Sequence, residues 1–272
     1  MYEGNELRFP GAEGQELSAR LDRPSGAPRA YALFAHCFTC SKDSVAAFHL
    51  GRELAALGIA VLRFDFTGLG SSGGEFPDTN FSSNIADLIA AADFLREQFA
   101  APRLLIGHSL GGTAVLAVAA SIPEAAAVAT IGAPYDPGHI RRLFAPWSAE
   151  IEAKGEVEVL LAGRKFRIRR QLLVDLAEHH TRDSIFNLKK ALLIFHSPAD
   201  QTVDISNAAQ IYGAARHPKS FISVDEADHL LTRAADCAFV ASVLSSWANR
   251  YVLARSPVMS RSREEPLEAP TD

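Results

Sequence analysis

Residues Leu104-Leu105-Ile106-Gly107-His108-Ser109-Leu110-Gly111-Gly112 decide how the rest of the chain is read. An apolar run ends in Gly-x-Ser-x-Gly, and a small-residue helical pattern continues through Ala120. A buried strand, a sharp turn and a helix are therefore predicted, the setting in which a serine is exposed as a nucleophile above a sheet. Gly107 and Gly111 flank Ser109 because a side chain at either place would clash as the backbone bends and the helix packs close. The Leu110 N–H, at the helix N-terminus, would point at the same spot as the Ser109 hydroxyl, ready to hold an oxyanion. Five letters alone fit a glycine-rich turn with a capping serine. The strand before and the helix after favour the nucleophile.

Elements of the same kind surround this one. Leu17 to Leu21 alternates, and Ser25-Gly26-Ala27-Pro28 is a turn. Tyr31 to Ala35 is a continuous apolar run, as a central parallel strand should be, and ends in His36-Cys37-Phe38-Thr39-Cys40. A helix starting near Asp43 carries Ala47, Leu50, Leu54 and Leu57 on one face, with Gly58 as its C-terminal cap. Ile59 to Phe64 is the next strand. A loop from Asp65 to Gly74 follows and formally matches the dinucleotide fingerprint. That match is rejected, because Gly74, Glu75, Phe76 and Pro77 continue as loop where a helix should open, and Asp87 and Asp93 lie within a helix. This helix shows Phe81, Ile85, Leu88, Ala92, Leu95 and Phe99. Ala125 to Ile131, Ala191 to Phe195 and Phe221 to Val224 are further strands. A helix spans about Val203 to Ala215, and a last one shows Val240, Val243, Leu244, Trp247 and Tyr251. The alternation predicts an α/β fold with a mainly parallel central sheet flanked by helices. No internal repeat is found.

The alternation breaks at about 136–187. There Val157 to Leu161 and Arg164 to Arg169 pair as a hairpin turning at Ala162-Gly163. Opposing Leu161 to Arg164 sets Val159 against Phe166 and Val157 against Ile168, with Glu158 against Arg167 and Glu156 against Arg169. One face is apolar and the other carries matched charges, so the basic run is a solvated face rather than an anion site. The insertion is expected to be a small lid over the strand ends of a domain spanning 1–255. Residues 256–272 are charged and proline-containing, and read as a disordered tail or linker.

The chain has 272 residues with 48% hydrophobic content, enough for one large core. A formal net charge of −5 gives no general pull toward nucleic acid or anionic membrane. The opening residues are not a signal peptide, and no apolar run approaches the ~20 residues of a membrane span. A soluble cytoplasmic protein is expected. The 3 cysteines, Cys37, Cys40 and Cys237, do not make a disulfide framework.

A serine hydroxyl needs a base, and the base needs an orienting acid. His229 follows the last strand and Asp200 the strand before it, so both fall on the sheet edge that carries Ser109. The order Ser109, Asp200, His229 is a known order for such a trio. Each residue has a plainer reading: His229 as a surface residue, Asp200 as a turn or helix cap. Asp204 competes for the acid role, and Asp228 is an ordinary surface acid. His36, His108 and His196 also lie at strand ends, without a position matching the base. A second oxyanion donor is expected in the loop after His36, with the Phe38 N–H chosen and Cys37 and Thr39 as neighbours. Cys37 and Cys40 form a C-x-x-C. No second cysteine pair completes a metal site, so they read as small buried loop cysteines with some scope for redox sensitivity.

These residues resemble the α/β-hydrolase superfamily over roughly 15–252. Gly107 to Gly111 is similar to its elbow, His36-Cys37-Phe38 to its His-Gly-aromatic oxyanion loop, and Asp65 to Ser71 to its structural Asp-x-x-Gly-x-Gly-x-Ser segment. Asp200 and His229 resemble its acid and base, and Cys37 stands where glycine is usual. Ala35 to Asp43 resembles a bacterial subgroup often fused to an OsmC-like peroxide-reductase domain. That domain would be a partner not contained in these residues. The resemblance implies a serine hydrolase of carboxylic esters or related acyl bonds, acting on a small-molecule acyl substrate with no metal or organic cofactor. A thioesterase, an amidase or peptidase, or a cofactor-free haloperoxidase would use the same residues. A redox-responsive or non-catalytic binding module on the same scaffold is the alternative from another class. Phe38, Phe144 and Phe166 hint at an uncharged, apolar acyl group.

Overall fold

The apolar runs become the strands of one sheet in the computed structural model, which describes residues 2–253 except 162. The expected tail, 256–272, and Ala162 of the hairpin turn lie outside the described residues. The strands are β1 (Tyr2–Pro10), β2 (Glu16–Pro24), β3 (Ala30–Ala35), β4 (Ile59–Phe64), β5 (Leu104–His108), β6 (Ala127–Ile131), β7 (Glu156–Leu161), β8 (Arg164–Arg169), β9 (Ala191–His196) and β10 (Lys219–Ser223). Among the described residues the main sheet runs β1-β2-β4-β3-β5-β6-β9-β10, and β7-β8 form a separate hairpin. β1, β2 and β4 are joined antiparallel, and every other pair in the main sheet is parallel.

The helices are α1 (Val45–Ala56), α2 (Phe81–Gln98), α3 (Leu110–Val118), α4 (Ser148–Lys154), α5 (Arg170–Glu178), α6 (Arg182–Phe186), α7 (Ser206–Ala214) and α8 (Ala234–Val252). A strand with helices on both faces must be apolar on both. In register, Leu62, Leu33, Leu105, Val128 and Leu192 make one cross-strand row that packs against α2, α3 and α7. The neighbouring row, Phe34, Ile106, Ala129 and Leu193, packs against α1 and α8. No helix among the described residues is long and apolar enough to cross a membrane.

Two helix ends differ from expectation. α1 stops at Ala56, so Leu57 becomes its C-cap and is 40% exposed, while Gly58 takes a left-handed φ of +88°. Phe99 likewise caps α2 instead of joining its buried face. Between β6 and β9 the chain forms a 3-10 segment (Pro137–Trp147), α4, the hairpin, α5 and α6. The hairpin has the expected register throughout. Its charges pair diagonally for Lys165 with Glu158 at 2.7 Å and directly across for Arg169 with Glu156 at 3.1 Å, on a face open to solvent. Such exposed pairs contribute little, about 0–1 kcal/mol each.

Charges are also buried beneath the β3–α1 loop. The fully buried Arg63 donates from Nε to Asp22 at 2.6 Å and also bonds the Lys42 carbonyl. Lys42 Nζ in turn donates to Asp65 at 2.8 Å. Each ion is paired and hydrogen-bonded, as burial requires.

Asp87 of α2 is also buried, and accepts from the Thr67 N–H at 2.9 Å and its hydroxyl at 3.1 Å. Burial dominates over these bonds and pushes the carboxyl up from 3.8 to about 6. Between about pH 4 and pH 6 the folded protein therefore holds a proton that the unfolded chain has lost, and stability falls as pH rises. The Asp87→Asn variant escapes this slope. Urea titrations are expected to show the variant gaining on the parent by on the order of 2–3 kcal/mol from pH 4 to pH 7. A difference independent of pH would contradict the assignment.

Candidate active site

Ser109 joins β5 to α3 with φ 54°, a backbone conformation rare for a residue with a side chain. Its neighbours leave no alternative to glycine. A Cβ on Gly107 would lie 2.2 Å from the Gly111 carbonyl oxygen, and one on Gly111 would lie 2.3 Å from that of Ala35. The Ser109 N–H is tied to the Ile131 carbonyl at 2.9 Å, and its own carbonyl accepts from Gly112 at 2.8 Å.

The loops after β9 and β10 bring the other two residues to this turn. His229 Nε2 lies 2.9 Å from Ser109 Oγ, and His229 Nδ1 lies 2.7 Å from Asp200 Oδ2. A carboxylate only accepts, so Nδ1 carries the proton and Nε2 is left to accept from the serine hydroxyl. Asp200 divides its oxygens. Oδ1 accepts the N–H groups of Thr202 at 2.8 Å and Val203 at 2.9 Å, and Oδ2 serves His229. Burial pushes its carboxyl up, but the bonds from His229, Val203 and Thr202 together hold it below the usual carboxylate value. The turn-capping role and the contact with His229 are thus compatible.

The competing residues are engaged elsewhere. Asp204 accepts from Ser206 N–H at 2.8 Å, and Asp228 accepts from Thr232 N–H at 3.1 Å. The remaining strand-end histidines hold loops. His108 donates to the His229 carbonyl at 2.7 Å, His196 to that of Val203 at 2.8 Å, and His36 to that of Cys37 at 2.8 Å. Burial and the nearby His229 lower His108 to about 4, so this ring stays neutral beside the base.

Leu110 opens α3, so its N–H has no intrahelical acceptor. Phe38 sits in a turn closed by Cys40 N–H to the Cys37 carbonyl at 3.1 Å, with Thr39 at φ 62°. Both residues line one narrow slot of about 20 Å³. The turn is held on three sides. Arg164 of the hairpin bonds the Thr39 carbonyl, Lys42 N–H donates to Asp65 at 2.6 Å, and Cys37 and Cys40 are disulfide-bonded. The disulfide corrects the expectation of two separate loop cysteines. The turn brings their Cα atoms to 5.3 Å, within bonding range. Phe144 and Phe166 do not line the slot. They are buried behind it, Phe144 against Phe38 at 6.1 Å and Phe166 against Phe76 at 5.0 Å between ring centres.

Sequence reasoning missed Arg164, which reads as one basic residue among several on the hairpin. It also missed Asn80 and Asn84, which line the slot from the start of α2. The signal was available for Asn84, a polar residue three after Phe81 and four before Leu88 on a buried face.

A strained serine between glycines, on the strand-to-helix turn of a mainly parallel sheet, defines a hydrolase scaffold. Residues 32–243 match the model of the alpha/beta hydrolase family, and the chain belongs to that family. It is similar to the esterase domain of a Rhodothermus marinus protein, with 51% identity, 92% of this chain and 99% of that chain covered, and a TM-score of 0.75. It is 26% identical over 212 residues to the mitochondrial palmitoyl-protein thioesterase ABHD10 of Mus musculus, covering 75% of this chain and 70% of that protein. Over 114 residues it is 31% identical to human monoglyceride lipase, covering 41% of this chain and 37% of the lipase.

Cys237 is buried and unpaired, so folded protein under non-reducing conditions should give almost no reaction with a thiol reagent. After reduction by dithiothreitol two thiols should titrate, and neither should appear in a Cys37→Ser/Cys40→Ser variant. Two fast-reacting thiols without reductant would contradict the disulfide.

Proposed function

We propose that this hydrolase cleaves carboxylic esters, or closely related acyl bonds, through a covalent acyl-enzyme. The observation that carries the reading is the hydrogen-bonded chain from Ser109 Oγ through His229 to Asp200. In this reading Ser109 Oγ attacks the substrate carbonyl as its proton passes to His229 Nε2. The carbonyl π electrons move onto oxygen, held by the N–H groups of Leu110 and Phe38. The carbonyl re-forms, the bond to the leaving group breaks, and His229 returns the proton to it. Asp200 orients the imidazole and stabilises its cation. Water then repeats the sequence on the acyl-enzyme and frees Ser109. The segment 136–187 acts as a lid that walls the substrate. The names of the relatives support esters and thioesters ahead of amides. The Ala35 to Asp43 loop supports placing the chain in the subgroup found fused to OsmC-like domains.

Labelling with a fluorophosphonate tests the reading. Oγ displaces fluoride from phosphorus only if it is activated. Stoichiometric labelling of Ser109 is expected, absent in Ser109→Ala and much reduced in His229→Ala. Asp200→Asn should lower kcat on an activated ester by about 10³–10⁴-fold, whereas Asp204→Asn and Asp228→Asn should stay near the parent. Unlabelled folded protein would overturn the mechanism.

A redox-responsive form of the same reading is favoured by the Cys37–Cys40 disulfide, which brackets the residue assigned as oxyanion donor. A dithiol would transfer two electrons through a mixed disulfide, leaving two cysteine thiols and an oxidised dithiol. Dithiothreitol should then lower kcat severalfold in the parent and leave the Cys37→Ser/Cys40→Ser variant unaffected. Equal rates for the parent with and without reductant would remove this second reading.

A further inference from the structure

The main sheet has two edges, and they are not alike. β1 carries Glu6 and Arg8 among its exposed residues and ends in Pro10, features that discourage another strand from joining it. β10, Lys219-Ser220-Phe221-Ile222-Ser223, has no proline and a single charged residue. The Lys219 ammonium is spent inside the molecule. It donates to the Tyr212 carbonyl at 2.6 Å and the Ala215 carbonyl at 2.7 Å, at the end of α7. It therefore does not guard the open side of the strand.

That open side is a row of backbone groups. β10 runs parallel to β9, with Lys219 level with Leu192 and Ser223 level with His196. The Leu192 N–H donates to the Pro218 carbonyl at 3.0 Å, and the Val224 N–H donates to the His196 carbonyl at 3.0 Å. This phase turns the backbone groups of Ser220 and Ile222 toward β9 as well. It leaves the N–H and C=O groups of Lys219, Phe221 and Ser223 pointing away from the sheet. None of these groups has a hydrogen-bond partner among the described residues.

Phe221 is the middle residue of the strand. A two-fold axis through it would set the same row of a second copy antiparallel to the first. Phe221 then faces Phe221 of the second copy, and each Lys219 faces a Ser223. All are pairs of the hydrogen-bonded kind, in which two residues exchange both N–H···O bonds. The flanks fit the same register. Arg216 and His217 precede the strand, Asp225 and Glu226 follow it, and all four are exposed. Arg216 falls toward Glu226 of the second copy and His217 toward its Asp225, at both ends of the pair. Opposite charges across paired strands attract. A shift by two residues would leave outward groups unpaired and lose this match. On the α7 side Phe221 is 40% exposed and borders an apolar groove of about 600 Å³, shared with Ala209, Tyr212 and Gly213. The second phenyl ring, on the same face of the extended sheet, would cover it.

We propose that β10 is a self-association surface, where a second copy of this chain adds its own β10 antiparallel about Phe221. Two eight-stranded sheets then become one continuous sheet. Such an interface is isologous and closes as a dimer. The proposal goes beyond the acyl-transfer reading and does not depend on it.

Sedimentation velocity at micromolar concentration tests it, with circular dichroism as the check of folding. The parent is expected to sediment as a dimer. Phe221→Lys sets like charges directly opposite across the axis and should weaken the dimer by about tenfold. Arg216→Glu should weaken it too, and Arg216→Glu/Glu226→Arg should restore it. Within one copy Arg216 lies over the Phe186 ring and Glu226 meets Arg233 at 3.3 Å. The double variant loses both contacts, so restoration isolates the pair between copies. Phe221→Cys reads the register directly, since the Cα atoms of a hydrogen-bonded pair lie about 5.5 Å apart, within disulfide range. Mild oxidation should give a covalent dimer with Phe221→Cys and none with Phe239→Cys, at an exposed site on α8. A monomeric parent would overturn the proposal. So would a dimer indifferent to Phe221→Lys, a double reversal that restores nothing, or crosslinking at Phe239→Cys and not at Phe221→Cys. The crosslink decides the register even where the lysine variant folds poorly.

Discussion

The structure depends on a single close approach. The first turn of α3 lies so near the end of β3 that a methyl group on Gly111 would come within 2.5 Å of the His36 carbonyl oxygen. That contact brings the turn holding Ser109 beside the loop holding Phe38. It also explains why Ser109 tolerates a positive φ. Its N–H is bonded to β6, its carbonyl accepts from Gly112, and buried strands fix both ends. Strain of this kind, on the order of 1–3 kcal/mol, persists only where the surroundings over-determine the backbone. Here the surroundings are the centre of an eight-stranded sheet.

The same edge divides its polar groups by duty. His36, His108 and His196 spend ring nitrogens on carbonyl groups and so fix the loops that follow β3, β5 and β9 or reach across to His229. His229 alone of these rings bridges a hydroxyl and a carboxylate. A neutral His108 avoids placing a second positive charge against the imidazolium that proton transfer would create. Below the Phe38 turn, the buried ion pairs Asp22–Arg63 and Lys42–Asp65 are joined by the bond from Arg63 to the Lys42 carbonyl, anchoring the turn from beneath. Gly51 makes room for it, since a Cβ there would meet Asp22 at 2.3 Å.

Much of this was legible in the sequence, because it follows from periodicity and chain order. Runs apolar on both faces, such as Ala191 to Phe195, have no place except inside a helix-covered sheet. Alternation alone set the hairpin register, since a slip by one residue would have turned Val159 and Phe166 out to water. Strand ends by themselves place Ser109, Asp200 and His229 on one edge. Features that depend on how a turn closes were not legible. The disulfide needs the φ of Thr39 to bring Cys37 and Cys40 together. The bond from Arg164 to Thr39 joins residues far apart in sequence, on a hairpin whose other basic side chains pair with the acids Glu156, Glu158 and Asp78. Leu57 and Phe99 were misplaced because periodicity does not mark where a helix stops.

The insertion is consequently not independent of the site it borders. Phe38 stacks edge-on against Phe144, and Phe76 against Phe166, so rings from the 3-10 segment and the hairpin support the turn that carries the Phe38 N–H. Arg164 adds a polar tie to the same turn. Leu172 of α5 then closes one wall of the slot. Closely packed interiors transmit displacement instead of absorbing it. A change in the hairpin that reshapes the slot must therefore also move the turn on which Phe38 sits. The slot and the turn of the assigned oxyanion donor thus belong to one packed unit.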